Sequence, residues 1–186
     1  MTRASELAGR RPHQPPMPPP ELPFDLFDFT DPAAVGDWAP IDDRVMGGVS
    51  RSRLRHDPAG HAVFEGQVSL ERGGGFASVR CRPGAFGAPG AQACVIEARG
   101  DGKTYKLSLI TDDGFDSLSY QVGLLLPVGR WQTLGLPLST FRASFRGREV
   151  PGAPPLDGAE IRQVGLMIAG RQAGSFALEM RRIGLA

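Results

Sequence analysis

AVFEGQVSL, residues Ala62–Leu70, is the stretch that decides the fold class. Its residues alternate between two sets, which are Phe64, Gly66, Val68 and Leu70 on one side and Val63, Glu65, Gln67 and Ser69 on the other. Alternation with a period of two is typical of a β-strand that has one buried face. We therefore predict a strand whose first set of side chains points into the core.

The same strand signal recurs in both directions from this stretch. Upstream, the turn HDPAGH separates it from a second candidate strand, because Asp-Pro and Gly are turn-forming residues. The full set of predicted strands adds Leu26–Thr30, Val49–Leu54, Phe76–Arg80, Cys94–Arg99, Tyr105–Ile110, Leu118–Leu126, Trp131–Leu136, Ile161–Ala169 and Ser175–Ile183. No long window has a helical apolar period, and 25 Gly and 17 Pro would interrupt helices repeatedly. The sequence predicts an all-β sandwich or barrel.

Two connections carry more specific expectations. Gly100-Asp101-Gly102 is a short glycine-rich link, and it predicts a hairpin between Cys94–Arg99 and Tyr105–Ile110. Ser139–Glu160 has no period and several prolines, so we predict a long loop, and such loops are often functional. Phe141 and Phe145 are expected to pin this loop to the sandwich.

Length and composition predict one domain with an appendage. Residues 1–22 are dense in proline, which lacks the N–H that sheets and helices need, so a disordered tail is expected. Residues 23–186 form the predicted domain. No segment approaches the roughly 20 apolar residues of a membrane span, and the N-terminus lacks the apolar centre of a signal peptide. These features favour a cytoplasmic protein without a transmembrane segment.

The net charge and the few Cys and His residues argue against nucleic-acid-binding, metal-binding and disulfide-stabilised proteins. The formal net charge is +1 and the basic residues are scattered, which argues against a nucleic-acid partner. Cys81 and Cys94 have neither the number nor the spacing of a zinc site or a disulfide framework. His13, His56 and His61 form no ligand group, so neither a metal nor another cofactor is expected.

The most distinctive motif is DDRVMGGVSRS, residues Asp42–Ser52. Its Gly-Gly pair indicates a loop that takes positive φ or lets another backbone come close. Four further blocks follow in order: GGGFASVR at Gly73–Arg80, RGDGKTY at Arg99–Tyr105, WQ at Trp131–Gln132 and FRGR at Phe145–Arg148. The loop fits two interpretations, a binding site or a structural tie made of buried, charge-assisted hydrogen bonds.

This ordered set of motifs resembles the CIA30 family, the complex I intermediate-associated protein 30 family. The resemblance runs from about Phe24 to the C-terminus. It implies a jelly-roll-like β-sandwich of the galactose-binding-domain-like type over residues 23–186. It also implies a role like that of the mitochondrial members, which assist assembly of respiratory complex I without becoming a subunit. Gly73 stands where many relatives have Asn before the GGF block.

Catalytic arrangements are weak in this sequence. Asp42 and Asp43 are adjacent, so an extended chain points them in different directions and they make a poor acid–base pair. A serine triad would need a His base, and His56 and His61 both look like turn residues. The Asp112-Asp113-Gly-Phe-Asp116 loop offers oxygen ligands for calcium but lacks EF-hand spacing, so a solvated turn is the preferred interpretation.

We therefore predict a non-catalytic binding module with a protein partner or a complex under assembly. Met46, Arg80 and Tyr105 beside the Gly47-Gly48 loop would make a patch with a cation and aromatic rings. Its candidate residues are Asp42, Asp43, Met46, Gly47, Gly48, Ser50, Gly75, Phe76, Ser78, Arg80, Asp101, Tyr105, Gln121 and Arg146. Arg80 is expected to pair with Asp42 or Asp43. A carbohydrate-binding module is the alternative, although two Trp and two Tyr give few rings for sugar stacking.

Overall fold

A computed structural model describes residues 24–186 of the chain. The predicted tail, residues 1–22, lies outside the described residues, so the predicted domain boundary stays a prediction. Residues 24–186 contain thirteen β-strands and five short 3-10 turns, and no α-helix occurs among them.

The strands follow one another along residues 24–186. In chain order they are β1 (Phe24–Asp28), β2 (Trp38–Pro40), β3 (Arg51–Asp57), β4 (His61–Val68), β5 (Ala77–Cys81), β6 (Ala93–Arg99), β7 (Thr104–Ile110), β8 (Ser119–Leu125), β9 (Gln132–Pro137), β10 (Arg142–Phe145), β11 (Arg148–Glu149), β12 (Gln163–Ile168) and β13 (Gly174–Leu185).

These strands form two antiparallel sheets. The six-stranded sheet has the order β3-β4-β13-β6-β9, and β1 pairs with the C-terminal part of β13. The seven-stranded sheet has the order β11-β10-β8-β7-β12-β5-β2. The two sheets pack face to face, which confirms the all-β, jelly-roll-like sandwich.

The core lies between the sheets and contains large aromatic and aliphatic side chains. The Phe64 ring of β4 packs 4.9 Å from the Phe176 ring of β13 and 6.3 Å from the Tyr105 ring of β7, all distances between ring centroids. Phe64 and Val68 face the core as the alternation predicts. Leu70 does not, because it follows the end of β4 and is exposed.

The predicted hairpin at Gly100-Asp101-Gly102 is wrong. β6 belongs to the six-stranded sheet and β7 to the seven-stranded sheet, so this connection crosses between the sheets. The Asp101 carboxylate accepts hydrogen bonds from the backbone N–H of Lys103 at 3.0 Å and of Ala177 at 2.9 Å. Asp101 therefore stabilises the crossing. A glycine-rich turn reverses the chain both in a hairpin within one sheet and in a crossing between two sheets. The local sequence therefore cannot distinguish a hairpin from a crossing.

The segment predicted as a long loop contains a small hairpin. β10 pairs with β11, and the turn between them is formed by Arg146 and Gly147, with φ of 48° and 76°. Two consecutive positive φ values are typical of a type I′ turn, which favours a hairpin. Phe141 is buried and fixes the segment as expected, whereas Phe145 is 39% exposed and does not.

Candidate functional site

The first part of the site is a buried carboxylate in the DDRVMGG motif. The Asp43 side chain is fully buried and accepts hydrogen bonds from the Ser50 N–H at 2.9 Å, the Ser50 hydroxyl at 2.5 Å and the Gly75 N–H at 2.8 Å. Burial by itself raises the pKa of Asp43. The hydrogen bonds from Ser50, Gly75 and Phe76 outweigh it and hold this pKa below its ordinary value. Asp43 is thus a stabilised buried anion.

The glycines of both motifs are explained by this carboxylate. A Cβ at Gly48 would lie 2.3 Å from Oδ1 of Asp43, and a Cβ at Gly74 would lie 2.6 Å from Oδ2. Gly47 has φ of 89°, which side chains disfavour. The two glycine-rich segments can therefore pack around Asp43 only because they lack side chains there.

The neighbouring Asp42 joins the two sheets. Its carboxylate accepts from the Ser52 N–H at 2.9 Å and the Ser52 hydroxyl at 2.5 Å, on β3 of the six-stranded sheet. It also accepts from the Ser78 N–H at 3.1 Å, on β5 of the seven-stranded sheet. We call Asp42, Asp43 and the groups that donate to them the aspartate clasp.

The predicted pairing of Arg80 with Asp42 or Asp43 is wrong. Arg80 instead donates from Nη1 to the backbone carbonyl of Phe115 at 2.9 Å. The two carboxylates are already occupied inside the clasp, and the Arg80 side chain lies on the outer face of β5. Burial lowers the pKa of the half-buried Arg80 guanidinium, and Cys81 and Asp112 counteract this only in part.

A groove of about 760 Å³ lies on the outer face of the seven-stranded sheet. Four residues of its floor form a row across four strands, because Gln121 of β8 pairs with Ser108 of β7, Ser108 with Gly165 of β12, and Gly165 with Arg80 of β5. Gly165 has no side chain, so the floor is lowest at the centre of this row. A floor of this kind suits an elongated ligand.

Exposed apolar side chains stand at the walls of the groove. Val45 and Met46 come from the 3-10 turn Asp43–Met46, and they are 63% and 68% exposed. Phe115, from the β7–β8 connection on the other side, is 66% exposed. Large apolar side chains this exposed around one concavity are typical of an interaction surface.

The charged side chains of the groove differ in their pairing. Arg146 forms an ion pair with Asp116 at the rim. Lys106 contacts only the Gln121 amide oxygen, at 3.5 Å. Within residues 24–186, neither Arg80 nor Lys106 forms a salt bridge with a carboxylate, although the nearby Asp112 charge partly compensates Arg80.

The structure separates the predicted site residues into three groups. Met46, Phe76, Ser78, Arg80, Gln121 and Arg146 line the groove. Asp42, Asp43, Gly47, Gly48, Ser50 and Gly75 form the clasp and its loops, to which the backbone N–H groups of Phe76 and Ser78 also belong. Asp101 and Tyr105 belong to neither.

Tyr105 is the clearest misplacement in the predicted patch. It is fully buried in the core, where burial and the neighbouring Asp101 raise the pKa of its phenol. The alternation of β7 turns Tyr105 inward and Lys106 outward. That alternation identifies Lys106 and Ser108 as outward-facing residues that the sequence prediction missed. Val45 and Phe115 were missed because no local pattern assigns two distant loops to one groove.

The acidic loop at Asp112–Asp116 uses its carboxylates internally. Asp112 accepts from the Gly114 N–H at 2.8 Å, and Asp113 pairs with Arg162 at 2.8 Å. In the part of the chain that the structure describes, no group of three or more His, Cys, Asp or Glu side chains is placed to hold a metal ion. Cys81 and Cys94 are buried free thiols, and burial raises their pKa values to about 11 and about 12.

No helix in residues 24–186 has the length and apolar character required to cross a bilayer.

The two packed antiparallel sheets define the class of protein by its fold, a β-sandwich, and solved carbohydrate-binding modules share this architecture. A family 11 carbohydrate-binding module from Clostridium thermocellum, solved with a β-1,3-1,4-mixed-linked tetrasaccharide, superposes with a TM-score of 0.64 and 16% identity, covering 87% of this chain and 94% of that one. An exo-β-agarase aligns with a TM-score of 0.56 and 11% identity, over 88% of this chain and 24% of the agarase. At these identities the likeness concerns the fold.

Sequence comparison then gives the family. The profile of complex I intermediate-associated protein 30 (CIA30) matches residues 27–180, so the chain belongs to the CIA30 family. A Drosophila melanogaster protein named complex I intermediate-associated protein 30, mitochondrial, is 29% identical over 86% of this chain. The chain spans 62% of that protein's length. An uncharacterized Schizosaccharomyces pombe protein is 30% identical over 79% of this chain and 76% of its own length.

Proposed function

We propose that this chain is a non-catalytic binding module that holds a protein partner in the groove and assists the assembly of a protein complex. The single observation that carries the proposal is the groove itself, a concavity with exposed Val45, Met46 and Phe115 at its walls. Apolar anchors of this kind favour a protein interface. Membership of the CIA30 family, and the name of the fly relative, support an assembly role with respiratory complex I as the candidate client.

The absence of turnover is part of the proposal. Proton transfer needs a group that can gain or lose a proton near neutral pH. Neither His, Cys nor Glu lines the groove in the described residues, and its one carboxylate, Asp116, is paired with Arg146. The carboxylates of Asp42 and Asp43 are engaged in the clasp.

A carbohydrate ligand is the alternative that the sequence left open, and the fold likeness to carbohydrate-binding modules is its main support. Trp and Tyr offer flat faces that suit sugar rings. Both Trp and both Tyr of the chain lie within residues 24–186, and none of the four lines the groove. Trp131, for example, contacts Arg99 and Arg181 beside the other sheet. The groove therefore favours a peptide.

Affinity capture from the native cell tests the proposal. Three tagged chains are compared: the wild type, Met46→Asp in the groove wall, and Leu125→Asp as the matched control. Leu125 is 76% exposed and lies outside the groove. We expect Met46→Asp to lose a defined set of co-purifying proteins that Leu125→Asp keeps, with both variants folded by circular dichroism. Equal recovery by all three chains would contradict the proposal.

The cellular compartment of the protein is also a prediction. The sequence favours the cytoplasm, whereas the fly relative is named as mitochondrial. Fractionation of the native cell, followed by immunodetection of the untagged chain, distinguishes the two.

A further inference from the structure

We propose that the groove recognises an extended acidic peptide segment of its partner, with a carboxylate of that segment held by Arg80 and Lys106. This inference rests on the proposed function, because it names the chemistry of the partner at the same groove.

The charge of the floor is the first argument. The Arg80 guanidinium has five N–H donors, and the one hydrogen bond described for it goes to the Phe115 carbonyl. Two other surface arginines near the groove pair with carboxylates, Arg146 with Asp116 and Arg162 with Asp113. A half-buried cation that forms no direct ion pair costs solvation free energy, which a directly bound anionic ligand would offset. The carboxylate is the anion that peptides carry, and it matches the planar guanidinium.

The second argument is the shape of the floor. The row from Gln121 to Arg80 crosses four strands, and neighbouring strands lie about 4.8 Å apart, so the row is about 14 Å long. About four residues of an extended peptide span this length at roughly 3.4 Å each. Gly165 near its centre adds no side chain to the floor.

The third argument is the position of the apolar side chains relative to the charge. Val45 and Met46 stand on one wall and Phe115 on the other, while Arg80 and Lys106 lie between them on the floor. A segment that combines an acidic residue with apolar residues therefore matches the cations of the floor and the apolar side chains of the walls.

Selection from a random peptide library displayed on phage, with the purified full chain as bait, tests this inference. The enriched sequences are then made as fluorescent synthetic peptides, and their dissociation constants are measured by fluorescence polarisation. We expect the enriched peptides to share an Asp, a Glu or a free C-terminal carboxylate next to apolar residues. Arg80→Gln and Lys106→Gln are each expected to weaken their binding about tenfold or more.

A pair of valine variants, one in the groove and one in the other sheet, tests whether peptides bind in the groove at all. A Cβ at Gly165 would contact the Val79 carbonyl oxygen at 3.4 Å and the Ser108 Cβ at 3.6 Å, so the backbone has room for a Cβ there and Gly165→Val adds bulk to the groove floor. Gly135 of β9 is also a strand glycine with space for a side chain, and it lies in the other sheet. Gly135→Val is the matched control. The unfolding midpoint of each variant is measured to test whether it is folded. Should Arg80→Gln fail to fold, the exposed Lys106→Gln carries the charge test.

The outcomes separate the inference from the proposed function. Peptides weakened by Gly165→Val but not by Arg80→Gln or Lys106→Gln, or enriched without an acidic preference, overturn acidic recognition and leave a protein-binding groove. Peptides that bind Gly165→Val as tightly as wild type, or no enrichment at all, overturn both proposals. Saturable binding of a mixed-linked β-glucan tetrasaccharide that Gly165→Val abolishes would overturn both in favour of the carbohydrate alternative.

Discussion

Replacing Asp43 with Asn perturbs the aspartate clasp without changing its volume. The carboxylate presents Oδ1 to the Ser50 N–H and Oδ2 to the Gly75 N–H and the Ser50 hydroxyl. An amide has only one acceptor oxygen, so its NH₂ group must face either the Ser50 N–H or the Gly75 N–H. In both orientations a buried backbone donor loses its acceptor.

The magnitude follows from these contacts. An unsatisfied buried donor costs about 1–3 kcal/mol, and a hydrogen bond to a charged group contributes about 1.5–3 kcal/mol. Because part of the network can rearrange around the hydroxyl of Ser50, we expect Asp43→Asn to lower the free energy of unfolding by about 2–4 kcal/mol. That is a large share of the roughly 5–15 kcal/mol that stabilises a typical domain.

Urea denaturation followed by circular dichroism measures this loss. Asp113→Asn is the matched control, because it removes the same charge from an exposed carboxylate that pairs with Arg162. Such surface pairs contribute about 0–1 kcal/mol. If Asp43→Asn destabilised the chain no more than Asp113→Asn, the clasp would not be a stabilising element and the structural explanation of the motif would fail.

Two further predictions follow from the geometry of the clasp, and a third follows from the proline-rich composition of residues 1–22. Gly48→Ala should destabilise the fold more than Gly135→Ala in urea denaturation, because its Cβ would lie 2.3 Å from the Asp43 carboxylate; equal midpoints would contradict this. The lowered pKa of Asp43 means that its carboxylate contributes stability above an ordinary Asp pKa of about 4 and that this contribution is lost as the pH falls through the lower folded-state pKa. Thermal midpoints measured from pH 6 downward should therefore fall more steeply for wild type than for Asp43→Asn, and parallel curves would refute the assignment. Deleting residues 1–22 should leave a cooperative thermal transition. Loss of that transition would show that the folded domain begins before residue 23.

Much of the fold could be predicted because its signals are local. The alternation in β4 identified buried Phe64 and Val68, and Asp-Pro-Ala-Gly identified the β3–β4 turn. The choice of sheet for each strand is not local, because it depends on pairing with residues far along the chain. For that reason the link from β6 to β7 was assigned to a hairpin although it crosses between sheets.

The site could be predicted only where a single sequence motif contains both the unusual residues and the contact that explains them. The Gly-Gly pair of DDRVMGG indicated a positive φ or a close approach of another backbone; Gly47 has the positive φ, and Gly48 lies against the Asp43 carboxylate. The groove, by contrast, brings together Met46, Phe115 and Arg146 from three distant loops. Only the packing of the sheets places these loops around one floor. Arg80 was expected to pair with Asp42 or Asp43, but its acceptor is the Phe115 carbonyl, which belongs to the distant β7–β8 connection.

Site-specific photo-crosslinking in the native cell tests the central claim, that the groove binds a protein partner, most directly. Benzoylphenylalanine is placed at position 115 in the groove wall and, in a second chain, at the exposed position 125 outside it. We predict that position 115 crosslinks to a defined protein, that position 125 does not, and that Met46→Asp removes the crosslink. The absence of any protein crosslink at position 115, or the same crosslinked proteins at both positions, would contradict the account.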